Sequence, residues 1–246
     1  VYDLVISDNL PEVLERRRDT VLSGHFFWHL SLNDIAPEYL ARCEYLMAKI
    51  RPRIISTKLL LGDKIKDLGE CYPVGLFGTR HETKLSKSDV LITSGLGAER
   101  RDEYQTFVKS LASGPPPPFK RVHVEPSLLP LHKPHWMVPA IYDQAMYDAL
   151  LAIVCRPGAG TVTDGLLSGA RLFCFYESQN GEMAHNASMI ELNGVGTDGT
   201  DIETAYKLAS AFYNSPNMHK NHAVALAAIV DNGHKEAADL IQGWAN

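Results

Sequence analysis

The sequence predicts an α/β protein built on parallel β-sheets. The main observation is Leu150–Tyr176, in which an apolar run, a glycine turn, a helix and a second apolar run follow one another. A strand, a helix and a strand in this order require a parallel sheet, because the helix carries the chain back to the end from which it started. Ser88–Ala112 repeats the pattern with a strand, small residues and a helix. A chain of 246 residues can hold two modest domains or one large one.

Composition and charge exclude several classes of protein. The chain has 45% hydrophobic and 22% charged residues, which is ordinary for a globular protein. The net charge of −5 argues against a nucleic-acid or anionic-membrane partner, because there is no basic excess to neutralise phosphates. The four cysteines are far apart, and Cys155 and Cys174 fall in predicted strands, which predicts buried thiols and a reducing, cytoplasmic location. No apolar run reaches transmembrane length, and no signal peptide is visible.

The N-terminal part alternates strands and helices from its beginning. Strands are predicted at Tyr2–Ser7, Thr20–Ser23 and Arg53–Ser56, and helices at Leu10–Arg18 and Pro37–Ile50. Three parallel strands do not make an obviously complete domain of the nucleotide-binding type. Cys71–Lys87 has few large apolar residues, and a linker between domains is therefore predicted at residues 73–87.

The second predicted domain covers residues 88–246. Its first strand, Ser88–Ser94, leads through Ser94 and Gly95 into a helix that starts at about Ala98. Open α/β sheets bind ligands at this edge, so Ser94 and Gly95 are candidate ligand-binding residues. The other predicted elements are strands at Arg121–Val124 and Trp136–Val138, and helices at Ile141–Leu151, Glu182–Leu192, Asp201–Asn214, Asn217–Val230 and Lys235–Trp244. The last three helices are expected to pack on the sheets.

The turn between Cys155 and the following helix is the most informative stretch. Thr161 is predicted to be the N-cap, because its hydroxyl can accept from the first helical N–H groups. The apolar face of Val162, Gly165 and Leu166 is predicted to pack on the sheet, and Gly169 to end the helix. A helix start leaves N–H groups unpaired and carries about half a positive charge, so the turn is expected to attract a phosphate.

The residues around the turn favour a diphosphate. Gly158 and Gly160 let a ligand approach the backbone, because they have no Cβ. Arg156 can form a bidentate contact with phosphate oxygens. Asp164 can accept hydrogen bonds from ribose hydroxyls. The alternative is that glycine is simply common in such turns and that Arg156 merely pairs with an acidic side chain on the surface. The arginine before the glycines, together with Thr161 and Asp164 after them, favours the diphosphate.

Arg156–Asp164, Gly169 and Asn180–Ala187 resemble the donor half of GT-B glycosyltransferases, and in particular the lipid-linked N-acetylglucosaminyltransferases of peptidoglycan synthesis. In that family an Arg-x-Gly-x-x-Thr-x-Ser-Glu pattern precedes a strand and a polar loop that ends in Gln-Gln-x-x-Asn-Ala. The resemblance implies two Rossmann-like parallel-sheet domains. It also implies that residues 1–72 are the remainder of the first, acceptor-side domain, because the family's glycine-rich loop and histidine have no counterpart here. Either the chain is a fragment of a longer protein, which is the favoured interpretation, or the fold is abbreviated.

The resemblance also implies roles for individual residues. Gly158–Gly160 and Thr161 would face the diphosphate, and Asp164 would replace the ribose-binding glutamate. Backbone atoms at Ala140 would hold the nucleotide base. These roles belong to the family and are carried over by position only.

The sugar-binding loop departs from the family pattern. Glu182 and Met183 stand where two sugar-reading glutamines usually are, and Asn186 is the asparagine of the same loop. A carboxylate and a thioether replace two amides, so the identity of the sugar does not carry over. His185 either points at the donor sugar or away from it.

The histidines offer two candidates for the catalytic base and no metal site. His25 and His29 follow a strand end and are candidate catalytic bases, although Phe26–Trp28 suggest an apolar wall in which a histidine is simply hydrogen-bonded. No spacing with a carboxylate suits zinc around the other histidines. The pair three residues apart near the C-terminus, His219 and His222, is expected to be solvated.

The sequence thus predicts a metal-independent glycosyltransferase that uses a nucleoside-diphosphate sugar, with UDP as the expected nucleotide, and an unknown acceptor. No Asp-x-Asp pair follows a strand, so the helix start and Arg156 would stabilise the diphosphate, and no cofactor besides the donor is expected. Two alternatives are open: a nucleotide-sugar hydrolase or epimerase of the same fold, and a non-catalytic nucleotide-sugar-binding subunit whose acceptor site comes from a partner chain.

Overall fold

The structure is a computed structural model that describes residues 3–25, 27, 36–80, 86–95, 99–199 and 201–245. The chain forms two units, one of Val1–Thr79 with Ile229–Asn246 and one of Arg80–Ala228. Every strand pair in both units is parallel. The predicted α/β class with parallel sheets is therefore confirmed.

The first unit contains a four-stranded sheet in the order β1-β2-β3-β4. Its elements are β1 (Ile6–Asp8), β2 (Val21–Ser23), α1 (Pro37–Ile50), β3 (Arg53–Thr57), α2 (Asp63–Leu68) and β4 (Glu70–Val74), with a short 3-10 helix at Pro11–Glu15. β4 was not predicted, and it takes up the first residues of the segment read as a connection. The signal is weak because β4 is an edge strand that contains Pro73, which has no N–H to donate to a neighbour.

The last helix, α9 (Gly233–Ala245), belongs to the first unit. Ala237 joins Val21, Ile55 and Val74 in a buried cluster on the first sheet. The approach to this helix is tight, since Gly233 N donates to Leu76 O at 2.8 Å and a Cβ at Gly233 would overlap the backbone of Gly75. The expectation that the second domain extends to residue 246 is corrected here, because the apolar face of α9 covers the first sheet.

The second unit contains a six-stranded sheet in the order β10-β9-β8-β5-β6-β7. Its strands are β5 (Asp89–Thr93), β6 (Val122–Val124), β7 (Met137–Pro139), β8 (Leu150–Cys155), β9 (Arg171–Cys174) and β10 (Gly196–Asp198). Its helices are α3 (Arg101–Ser113), α4 (Gln144–Ala149), α5 (Ala159–Ser168), α6 (Gly181–Leu192), α7 (Ile202–Tyr213) and α8 (Pro216–Ala227). The chain runs outward from β5 to β7 and then from β8 to β10 in the other direction. The strand order therefore reverses between β5 and β8.

Two packing surfaces hold this sheet. On one, the α3 and α7 side chains Tyr104 and Phe212 join Val154 and Phe173 in the main apolar core. On the other, α5 lies so close that a Cβ on Gly165 would come within 2.8 Å of Leu172 Cδ2. Val162, Gly165 and Leu166 are buried and Gly169 caps the helix at φ +84°, so the predicted helix face and end are confirmed.

Some elements differ from the sequence predictions. α4 ends at Ala149 and is shorter than predicted, because Leu150 already pairs with Asp89 in the sheet. β10 was not predicted, since three residues beginning with glycine carry little periodicity. His222 is not solvated: it is 5% exposed, with Nε2 3.3 Å from Gly169 O and its ring against Phe212.

The thiols of Cys155 and Cys174 are buried and unoxidised, as predicted. Within the described ranges, no helix combines the length and the apolar character that a membrane crossing requires.

Candidate functional site

Two turns meet where the strand order of the second sheet reverses. Ser94 follows β5 and Arg156 follows β8, and these strands are neighbours. The Arg156 N–H donates to Thr93 O at 3.4 Å, so the two turns begin side by side. Open α/β sheets bind ligands at such a switch point, at the carboxyl ends of the strands.

The turn after β5 is occupied by the protein's own carboxylate. Glu125 Oε2 accepts from Ser94 N at 2.9 Å, from Ser94 Oγ at 3.0 Å and from Thr93 Oγ1 at 3.0 Å. Gly95 N donates to Thr93 Oγ1 at 3.2 Å. Because these donors are already used, the prediction that Ser94 and Gly95 bind a ligand needs correction. In the described part of the chain α3 begins at Arg101, six residues after Gly95.

The environment of Glu125 fits a permanent anion. Burial alone would raise the pKa of this carboxyl, but hydrogen bonds from Ser127, Thr93 and Ser94 hold the pKa below its usual value. Sequence reasoning missed Glu125 because it lies 31 residues after Ser94 and reaches it only once β5 and β6 pair.

The turn after β8 is open. α5 begins at Ala159 with Gly158 as its N-cap, and no side chain in the described part of the chain caps its amides. Thr161 is therefore the third residue of the helix, and its prediction as N-cap is wrong. A Cβ at Gly158 or Gly160 would meet no atom within 4 Å, so nothing in the described protein explains the two glycines. The first N–H groups of a helix attract an anion when no side chain satisfies them.

Arg156 is bound to Glu177 beside this turn. Arg156 Nε lies 2.9 and 3.0 Å from the two carboxylate oxygens, and Nη2 contacts Oε1. The two side chains are 20% and 9% exposed. Arg156 therefore has an acidic partner, as the alternative interpretation proposed, but this partner is buried and does not lie on the surface. Among the described residues Nη1 has no hydrogen-bonding partner, so the guanidinium keeps one end that can receive a second anion.

This ion pair is reflected in both pKa values. The hydrogen bonds that Arg156 donates to Glu177 raise the pKa of Arg156 in spite of burial. Burial raises the pKa of Glu177, but the hydrogen bond from Arg156 and other contacts lower it below the usual value. Both groups are thus charged at neutral pH.

A side chain in the middle of α6 holds the open turn in place. Asn186 is completely buried, and its Nδ2 donates to Pro157 O at 2.9 Å. Asn186 was predicted to bind the nucleotide-sugar donor, but its buried side chain instead holds the turn. Met183 is buried too, whereas Glu182 and His185 are half-buried. Of the two positions implied to read the sugar, only Glu182 keeps some exposure.

Asp164 and Ala140 have different environments. Asp164 is exposed on α5, and its Oδ2 accepts from Tyr147 OH at 3.4 Å. The pKa of Asp164 lies above its usual value, because the neighbours that partly bury the carboxyl raise the pKa more than the hydrogen bond from Tyr147 lowers it. Ala140 is buried, and its N–H donates to Val124 O at 2.8 Å, so only its carbonyl is left to contact a base.

The exposed apolar surface near Ala140 belongs to the two residues that follow it. Ile141 is 64% and Tyr142 44% exposed. Tyr142 has a positive φ of 52°, which is uncommon for a bulky residue, and its hydroxyl lies 3.4 Å from Thr93 Oγ1. Sequence reasoning missed this pair, although an apolar dipeptide after Pro139-Ala140 was a visible signal.

The two candidate catalytic histidines lie in the first unit. His25 is half-buried and lies two residues after the end of β2, and Phe27, two residues farther along the chain, is completely buried, as the apolar-wall alternative expects. His29 lies outside the described residues. In the parts of the chain with described coordinates, no group of three or more His, Cys, Asp or Glu side chains is arranged to hold a metal ion.

Comparison with solved structures identifies the fold. The glycotransferase of kitacinnamycin matches over 99% of this chain and 76% of its own, with 14% identity and a TM-score of 0.65. LpCGTa in complex with UDP matches over 98% and 75%, with 18% identity and a TM-score of 0.60. MurG from Acinetobacter baumannii matches over 94% and 77%, with 16% identity and a TM-score of 0.56. The GT-B type of α/β fold predicted from the sequence is thereby confirmed.

No protein-family model matches the chain, and no curated protein matches it.

Proposed function

We propose that the chain acts as a glycosyltransferase that takes a sugar from a nucleoside-diphosphate donor, with UDP as the nucleotide, and that the diphosphate binds at the start of α5. The observation that carries the proposal is the contrast between the two neighbouring turns. Glu125 fills the turn after β5. No described side chain caps the amides after β8, and a Cβ at Gly158 or Gly160 would meet no atom within 4 Å.

The diphosphate would receive three kinds of favourable contact there. The free N–H groups of Ala159, Gly160 and Thr161 point out of the helix start, and the helix dipole adds positive potential. Arg156 contributes the Nη1 end of its guanidinium. Charge-assisted hydrogen bonds of this type are worth about 1.5–3 kcal/mol each.

The rest of a nucleotide fits the surroundings of the turn. The exposed Asp164 carboxylate can accept from ribose hydroxyls one helical turn farther on. Ile141 and Tyr142 offer an exposed apolar face to a base at the same edge of the sheet, and the Ala140 carbonyl lies before them. UDP is favoured as the nucleotide because a fold neighbour, LpCGTa, is described in complex with UDP.

The chemistry follows from the position of the charges. Negative charge develops on the nucleoside diphosphate as the glycosidic bond breaks. N–H groups already aimed at that charge stabilise the transition state without reorganising. A metal ion is not required by this scheme, in which the helix start and Arg156 take the role of the cation. The acceptor and the catalytic base are left unassigned, with His25 and His29 as candidates for the base.

The experiment is calorimetric titration of the chain with UDP, followed by an assay of UDP release from a panel of UDP-sugars with and without acceptors. The proposal expects UDP binding and acceptor-dependent release. Release without any acceptor would identify a hydrolase, and interconversion of the sugar an epimerase. Binding without turnover for every acceptor would favour the non-catalytic subunit. Absence of UDP binding at millimolar concentration would contradict the proposal.

A further inference from the structure

We propose that Glu177 is a positioning residue of the donor site: it orients the Arg156 guanidinium toward the diphosphate instead of competing with the diphosphate for it. The inference rests on the proposed function, and the observation behind it is the bidentate pair beside the open turn. Glu177 follows β9, 21 residues after Arg156, and no sequence pattern singled it out.

The geometry of the pair argues against exchange of Glu177 for substrate. The Glu177 carboxylate is 9% exposed and also accepts from Asn180 Nδ2 at 3.0 Å. If the diphosphate took Arg156 away, the buried carboxylate would lose its one cationic partner among the described residues and keep only the Asn180 amide and a hydrogen bond with the backbone of Glu177 itself. An uncompensated buried charge is strongly unfavourable, so Arg156 is expected to stay on Glu177 when the donor binds.

The same geometry leaves Arg156 able to bind two anions at once. Glu177 uses the Nε edge and Nη2, while Nη1 has no partner among the described residues. A guanidinium is planar with its donors in a fixed fork. When one edge is fixed on Glu177, the direction of Nη1 is fixed too. The carboxylate thus lowers the entropy that Arg156 would lose on binding a phosphate.

Glu177 also links the turn at Arg156 to the N-terminus of α6. Asn180, which donates to Glu177, accepts from Met183 N at 3.2 Å as the N-cap of α6. From the same helix Asn186 holds Pro157 O at 2.9 Å. Glu177 therefore holds the side chain of Arg156, and Asn186 holds the backbone of Pro157.

The test compares UDP with uridine as probes, because uridine lacks the diphosphate. NMR titrations of wild type and Glu177→Gln with both probes are expected to show UDP binding weakened about tenfold or more and uridine binding unchanged. A purely structural role would weaken both probes equally. In the Arg156→Ala background, Glu177→Gln is expected to add no further loss, because Glu177 acts through Arg156.

The matched control is Glu203→Gln, which makes the same chemical change in an exposed pair with Lys207 in the same unit. It is expected to leave both affinities unchanged. If Glu177→Gln does not fold, Glu177→Asp, which keeps the charge but shortens the reach, carries the same comparison.

Three results would overturn the inference. Tighter UDP binding in Glu177→Gln would mean that Glu177 competes with the substrate. Unchanged UDP binding would mean that it does not act on the site, and equal losses for UDP and uridine would mean that it only supports the fold. A wild type that binds no UDP would instead contradict the proposed function itself.

Discussion

Replacement of Gly158 by aspartate is expected to separate stability from binding at the donor turn. Gly158 has φ −66° and ψ 148°, the extended conformation of a normal N-cap, and a Cβ there meets no atom within 4 Å. Aspartate can therefore be accommodated without strain, and its carboxylate can accept from the first helical N–H groups. The variant would copy at this turn what Glu125 does at its neighbour.

The magnitudes follow from charge and capping. Like charges 4 Å apart repel by about 1 kcal/mol in water and about 4 kcal/mol at an effective dielectric constant of 20. About 1.4 kcal/mol corresponds to a tenfold change in affinity. The repulsion alone would therefore weaken UDP binding by between about fivefold and about 1,000-fold. Because the carboxylate would also take the amides that the diphosphate needs, we expect at least about a tenfold loss. A better N-cap than glycine adds a few tenths of a kcal/mol to stability, so the melting temperature should stay or rise slightly.

The assay is UDP titration by calorimetry together with thermal unfolding. Gly158→Asn is the matched control, since it offers the same cap without the charge and should lose less affinity than Gly158→Asp. If Gly158→Asp kept wild-type affinity for UDP while its melting temperature rose, the cap would be formed and the diphosphate would bind elsewhere. That result would refute the reasoning.

Three further predictions concern packing, pH and metals. Gly233→Ala should lower the stability by about 1–3 kcal/mol, because its Cβ overlaps the backbone of Gly75; Gly243→Ala on the same helix meets no atom within 4 Å and should show no loss in urea unfolding. Burial lowers the pKa of His222 to about 4, although the hydrogen bond to the Gly169 carbonyl acts in the opposite direction. A histidine in the unfolded chain titrates near about 6.5, so the unfolded state gains a proton between these values and stability falls as the pH is lowered through them. His222→Gln should flatten this loss between pH 7 and 5, and an unchanged slope would show that other groups cause it. UDP binding should be insensitive to EDTA, and restoration of lost binding by added Mg²⁺ would contradict the metal-free scheme.

Much of the fold was predictable because the strongest signals were local. The apolar run before Cys155 and the small residues of α5 gave a strand, a turn and a helix, and the structure has them with Gly169 as the cap. Elements that depend on partners were harder to find. β4 contains a proline and lies at a sheet edge, and α9 was assigned to the wrong unit because its apolar face does not say which sheet it covers.

The site was predictable only in its backbone. The glycines and the helix start lie within a few residues of one another, so their pattern was visible in the sequence. Glu125 and Glu177 decide which turn is open and how Arg156 is held, but each comes from a different strand end. A related reason applies to Asn186: its motif position predicted donor binding, whereas packing of α6 buries its side chain against Pro157.

The most direct test is a crystal structure of the chain with UDP. The account predicts diphosphate oxygens within about 2.7–3.2 Å of the amide nitrogens of Ala159, Gly160 and Thr161, with Arg156 still bound to Glu177. UDP bound at another edge of the sheet, or a side chain of the protein lying on those amides, would contradict it.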